Sequence, residues 1–244
     1  MDQDNELSEL GWDEFFAGAF EPFASKGYKP ARVVREQRDA YLVRGPAGEL
    51  KARVSGRFSH RTRLRSDYPT VGDWVAIRVR RDGEAATIHA VLERKTMFSR
   101  KVTGEKTDRQ VLAANVDTVL VVCGLDSEFN LRRLERYLSR AGAAGAQTVV
   151  ILNKADLAGN LEAMVQEVKA VTADCHLHVM SALEGTGLDA LEPYLLRGRT
   201  LVFLGSSGVG KTTIINRLLG EERLRTGKVR ASDGKGRHTT SSRK

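Results

Sequence analysis

The densest chemistry in the sequence is Gly205-Ser206-Ser207-Gly208-Val209-Gly210-Lys211-Thr212, with Thr213 following. This spacing makes a phosphate cradle. Its glycines let the backbone wrap tightly, so that loop N–H groups and the start of the next helix point at an anion. The Lys211 ammonium then reaches the β- and γ-phosphates, and the Thr212 hydroxyl supplies a ligand to Mg²⁺. A second candidate, Asn153-Lys154-Ala155-Asp156, lies about fifty residues earlier. A carboxylate at Asp156 accepts from both the ring N–H and the exocyclic amino group of guanine. Adenine lacks that donor pair and would leave a buried charge unpaired. Asn153 is expected to tie this loop to the phosphate loop, with the Lys154 stem over the base. Ser181-Ala182 adds a small-residue turn, where the Ala182 N–H is expected to donate to the guanine O6.

These groups need elements to hold them. Thr200–Leu204 and Thr148–Leu152 are apolar runs suited to buried parallel strands, and Val179-Met180 leads into the Ser181 turn. Each motif thus sits at a strand's carboxyl end, where open α/β sheets bind ligands. Lys211–Leu219 reads as an amphipathic helix with Ile214, Ile215, Leu218 and Leu219 inward. Asp233–Thr240 is glycine-rich, basic and without apolar period, hence a loop. Placed after the phosphate-loop helix, it is either a switch loop, with Thr239 or Thr240 completing the Mg²⁺ shell, or a basic tail. In ordinary guanine-nucleotide domains the phosphate loop precedes the Asn-Lys-x-Asp box. Here the order is inverted, as in a circularly permuted GTPase.

A chain of 244 residues suggests two domains, and a hydrophobic fraction of 41% is enough for real cores. The formal net charge of +8 is uneven: Tyr28 to Lys95 holds 16 Lys and Arg against 8 Asp and Glu. The same stretch alternates in short runs at Pro30–Arg35, Tyr41–Arg44, Glu49–Val54, Val71–Arg80 and Ala85–Leu92. These predict a small five-stranded barrel of the OB type. Val75, Ile77 and Val79 face one side, and Trp74, Ala76 and Arg78 the other. Arg57, Arg61, Arg63 and Arg65 fall in what reads as a long loop, and they are candidate RNA contacts. Leu7–Phe23 has helical apolar spacing. The expected division is therefore a helical segment 1–27, an OB-fold domain 28–98, a linker 99–110 and a nucleotide domain 111–244. Cys123 and Cys175 lack metal-ligand spacing and read as reduced buried thiols of a cytoplasmic protein; His176 and His178 alternate on a strand. The acidic start is no signal peptide, and no run is long enough to span a membrane.

Taken together, the chain resembles the RsgA/YjeQ family of ribosome small-subunit-dependent GTPases. The likeness runs through Pro30–Val33, Val71–Val75, Phe98–Lys101, Ala113–Asp117, Asn153–Leu157, Gly205–Thr213 and Gly236–Thr240. It implies an OB barrel followed by a circularly permuted P-loop domain. The implied activity is GTP binding and hydrolysis with Mg²⁺, stimulated by the small ribosomal subunit during its late maturation. The implied partners are that subunit and its rRNA, met by a monomer with no membrane. His238 would position the attacking water, and Thr240 would join Thr212 on the metal. The family's Asp-x-Pro-Gly segment and its C-terminal Cys/His zinc domain have no counterpart, so the ligands for the family's zinc are absent. The chain is accordingly expected to be C-terminally truncated, with an open apolar edge along Thr200–Leu204, weak GTP binding and poor hydrolysis. A non-catalytic RNA-binding module with a remnant nucleotide domain is the alternative, and an ATP-dependent P-loop enzyme is disfavoured by Asp156.

Overall fold

Two compact units emerge from the computed structural model, which describes residues 3–38, 40–101, 109–172 and 175–220. Among these residues, the first unit runs to Val116 and also takes in Arg197–Thr200, while the second holds Asp117–Leu196 and resumes at Leu201.

In the first unit the alternating runs become β1 (Lys29–Glu36), β2 (Tyr41–Gly45), β3 (Gly48–Val54), β4 (Trp74–Val79) and β5 (Ala85–Val91). They close into a barrel in the order β1-β2-β3-β5-β4, with β3 and β5 parallel and β1 and β4 antiparallel. Because successive side chains point to opposite faces, Val33, Val43, Leu50, Val75, Ile77 and Ile88 meet inside. The opposite face of β4 presents Trp74 and Ala76 to Leu7, Phe16 and Phe20 of the N-terminal helices. Those helices are two, α1 (Gln3–Glu9) and α2 (Glu14–Ala24), where the apolar spacing predicts one. Gly11 breaks the run at φ 84°, where any Cβ would lie 2.4 Å from the Gly198 carbonyl oxygen. Asp13 then restarts it as an N-cap, accepting from the N–H groups of Phe15 and Phe16 at 3.1 and 3.4 Å.

Two further expectations are corrected in this unit. Arg57 and Arg61 lie on a short helix, α3 (Gly56–Arg61), and Arg65 opens a 3₁₀ turn, Arg65–Asp67; Arg63 lies between them. A six-residue helix is too short to show an apolar period, and Ser55 sets its start by capping the Phe58 N–H at 3.1 Å. The expected linker, in turn, contributes strand at both ends. β6 (Met97–Lys101) pairs antiparallel with β7 (Arg109–Ala114), and residues 111–116 go with the first unit. One face of this ribbon is wet, with Arg100 donating to Gln110 across it at 2.9 Å, so its composition reads as linker. Asp73, fully buried, accepts two 2.8 Å bonds from Arg94 and one from the Thr70 N–H at 2.8 Å. Arg94 also donates to the Ser66 and Tyr68 carbonyls at 2.7 and 3.0 Å, fastening the segment before β4 to the connection between β5 and β6.

The second unit is a parallel sheet in the order β10-β9-β8-β11, comprising β8 (Thr118–Gly124), β9 (Gln147–Asn153), β10 (His176–Val179) and β11 (Leu201–Leu204). The apolar runs Val119–Val122 and Val149–Leu152 are buried throughout, as strands covered on both faces must be. On one face Leu120, Val122, Val149 and Ile151 pack with Met180, Leu191 and Ile214. α4 (Leu131–Gly142) packs on β8 and β9, and α5 (Leu161–Thr172) lies against α4. α6 (Lys211–Leu219) follows β11. Ile214 is buried and Leu218 packs on the core, but Leu219 is half exposed rather than inward, because it falls in the last turn beside the Gly220 cap. Thr200 precedes β11 instead of belonging to it, and its hydroxyl accepts from the Arg32 guanidinium at 2.6 Å. Among the described residues β11 is an edge strand, paired only with β8.

Candidate nucleotide site

All four strands of the second unit run the same way, so the turns after β8, β9, β10 and β11 gather at one edge of the sheet. The phosphate loop bridges β11 and α6. Its glycines are required by close approach: a Cβ at Gly205 would lie 2.4 Å from the Val122 oxygen, and one at Gly210 would lie 2.2 Å from Asn153 Nδ2. Gly208 and Gly210 also adopt φ of 81° and 96°, the left-handed region that favours glycine. Lys211 extends back along the loop, and its ammonium donates to the carbonyls of Gly205 at 3.0 Å and Ser206 at 2.5 Å. Burial pushes its pKa down. Ser207, Thr212 and Thr213 are half-buried around it, and Val209 is buried.

Asn153 joins the motifs. Its Nδ2 donates to the Val209 carbonyl at 2.8 Å, and its Oδ1 accepts from the Ala182 N–H at 2.9 Å. The expected tie to the phosphate loop is thus present. The Ala182 N–H, however, is engaged by Asn153, where sequence reasoning aims it at a guanine O6. That reasoning left out the need of the buried Asn153 oxygen for its own donor. Asp156 accepts from the Ser181 hydroxyl, so the box meets the small-residue turn at two points. Lys154 adopts φ 66°, and its ammonium pairs with Asp126 at 2.5 Å. This partner went unnoticed, although Gly124-Leu125-Asp126 at the end of an apolar run signals it. Sequence reasoning also missed Arg133 and Tyr137. Arg133 donates to the Ser206 hydroxyl at 3.1 Å, and the Tyr137 hydroxyl lies 3.3 Å from the same oxygen. Their only signal is a polar i, i+4 pair on α4.

His176 Nδ1 and His178 Nε2 both hydrogen-bond the Tyr194 hydroxyl, at 2.8 and 3.0 Å. Among the described residues no group of three or more His, Cys, Asp or Glu gathers to hold a metal ion. Burial pushes the Cys123 thiol up, away from thiolate chemistry. His238, Thr239 and Thr240 lie outside the described residues. In the first unit Arg57, Arg61, Arg63 and Arg65 are all exposed.

The family model described as RsgA GTPase matches residues 91–244, more than half of the chain. The chain belongs to the RsgA GTPase family. A relative named small ribosomal subunit biogenesis GTPase RsgA, from Opitutus terrae, is 49% identical over 245 residues, covering 97% of this chain and 67% of that protein. One of the same name from Syntrophotalea carbinolica is 38% identical, covering 97% and 66%. RsgA 2 from Lactiplantibacillus plantarum is 42% identical, covering 87% and 60%. The chain therefore spans between 60% and 67% of the length of these relatives. YjeQ from Thermotoga maritima superposes with a TM-score of 0.64 at 24% identity, over 86% of this chain and 72% of that one. YloQ, described as a circularly permuted GTPase, gives 0.56 at 17%, over 86% and 69%. At these identities the likeness to the two solved structures concerns the fold. That fold carries the permuted order seen here, with the phosphate-loop strand β11 last among the described strands.

Proposed function

We propose that the second unit binds GDP and GTP with Mg²⁺ and hydrolyses GTP, and that the chain serves late maturation of the small ribosomal subunit. The observation that carries the nucleotide half is the double engagement of Asn153. One buried amide holds the phosphate loop at Val209 and the Ser181–Ala182 turn at Ala182, so the two loops keep one relative geometry. Asp156, held by Ser181, is the guanine-reading carboxylate of this proposal. The Lys211 ammonium, held by two loop carbonyls, is the group that meets phosphate oxygens. Thr212 offers a hard hydroxyl oxygen in the first turn of α6. That fits Mg²⁺, which takes few protein ligands beside phosphate oxygens and water. When bound, the metal neutralises charge on the phosphoryl group. Thr240 as its second hydroxyl and His238 as the residue that orients water complete the proposal.

The ribosomal half is supported by the printed names of the relatives and by exposed Arg57, Arg61, Arg63 and Arg65, which supply the charge to meet rRNA phosphates. It places the chain in the cytoplasm, as a monomer. The deciding experiment titrates a fluorescent GDP analogue against the protein with Mg²⁺, competed by GDP or ATP. Binding at about micromolar Kd or tighter, displaced by GDP and not by ATP, and weakened by Asp156→Asn, is the expected result. Displacement by ATP as readily as by GDP, or no saturable binding by folded protein, would refute it.

A further inference from the structure

The turn that carries Ser181 and Ala182 is held at three points. Two of them, the Asn153 bond to the Ala182 N–H and the Asp156 bond to the Ser181 hydroxyl, come from the Asn-Lys-x-Asp box. The third comes from Arg217, in the last turn of α6. Its Nε donates to the Ala182 carbonyl at 3.2 Å and its Nη2 to the Leu183 carbonyl at 2.7 Å. Arg217 belongs to no nucleotide motif, yet it links the helix opened by Lys211 to the turn beside Asp156.

The geometry gives this contact leverage. A trans peptide is planar, so fixing the Ala182 carbonyl also fixes the direction of the Leu183 N–H. Fixing the Leu183 carbonyl likewise aims the Glu184 N–H, which donates to the Ser181 hydroxyl at 3.2 Å. A backbone bridge between Ser181 and Thr186 closes the base of the turn, but the Leu183 side chain is 71% exposed and adds no packing at its apex. A guanidinium presents two donors in a rigid plane and spans successive carbonyls. An ammonium is a single point and cannot do so.

We propose that Arg217 is a positioning residue for base recognition: it locks the Ala182–Leu183 carbonyls to the phosphate-loop helix, so that base turn and phosphate cradle keep one relative geometry. This rests on the guanine-nucleotide reading above. The test measures competition constants of GDP, IDP and ADP on wild type, Arg217→Ala, Arg217→Lys and Asp156→Asn, with thermal midpoints alongside. With the Ala182 N–H held by Asn153, the Leu183 N–H aimed by Arg217 is the turn's donor toward O6. Hypoxanthine keeps the O6 of guanine and adenine lacks it, so a loosened turn should weaken GDP and IDP together and spare ADP. For Arg217→Ala the expected loss is about tenfold for GDP and IDP, with ADP and the thermal midpoint unchanged. Arg217→Lys should recover only part of it. An Arg217→Ala protein that keeps the wild-type preference for GDP over ADP, or that loses all three nucleotides equally, overturns the proposal while leaving the guanine site standing. If wild type shows no preference for GDP over ADP, or Asp156→Asn is silent, the guanine reading fails and this inference falls with it.

Discussion

Asn153 has one amide oxygen and one amide nitrogen, and both are spent on other loops while the residue is only 2% exposed. Its two bonds differ in kind, which makes a substitution informative. Asn153→Asp keeps an acceptor for the Ala182 N–H but turns an oxygen toward the Val209 carbonyl, where a donor is required. Two buried acceptors facing each other cost about 1–3 kcal/mol, more when one is charged. We expect the variant to lose that much stability in denaturant titration and to bind GDP at least tenfold more weakly. Lys154 is bound by the same logic. Its ammonium is paired with Asp126, and nothing within the Asn-Lys-x-Asp box names that partner.

Elements succeed here where their start and stop signals are chemical rather than periodic. The apolar spacing of Leu7–Phe23 runs through the break at Gly11, because Leu7, Phe16 and Phe20 reach the same face of β4 from two helices. Asp13, which begins α2, also meets the Lys95 ammonium. Burial pushes its carboxyl up, but Lys95 and the N–H groups of Phe16 and Phe15 outweigh this and hold its pKa below the ordinary 3.8. A carboxyl depressed in the folded state contributes stability that is present above its unfolded pKa and lost as pH falls through the folded value. Asp13→Ala should therefore cost about 1 kcal/mol at pH 7. In denaturant titrations that gap between wild type and variant should narrow as pH falls below the ordinary 3.8 and through the lower folded value. A gap that is constant with pH would assign the effect to packing instead of charge.

For the molecule as a whole, the division of charge is the dominant feature. The formal excess of +8 is matched by the Tyr28–Lys95 stretch alone, which falls in the barrel unit, while the nucleotide motifs lie in the other. Under the proposed function, RNA affinity and nucleotide affinity should then separate by mutation. Replacing Arg57, Arg61, Arg63 and Arg65 by Ala is expected to weaken binding to small-subunit rRNA and to flatten its dependence on salt between about 50 and 200 mM. GDP affinity should stay within about twofold of wild type. Filter binding at several salt concentrations, beside the GDP titration, checks both. An unchanged salt slope would place the RNA contacts elsewhere.

Much of this was legible in the residues themselves. Glycine-rich loops after apolar strands, Asn-Lys-x-Asp boxes and alternating barrel strands are local patterns. Their chemistry is carried by neighbours in the chain, so Gly205–Thr212, Asn153–Asp156 and the five barrel strands could be read, inverted order included. The polar α3 and the half-wet β6–β7 ribbon could not, because neither carries an apolar period of useful length. Only the tertiary structure decided who bonds to whom: Asn153 to Ala182, Lys154 to Asp126, Arg133 to Ser206 and Arg217 to the Ala182 carbonyl. A buried donor must find an acceptor wherever the fold brings one near, and those partners come from loops far apart in sequence that the parallel sheet gathers at one edge.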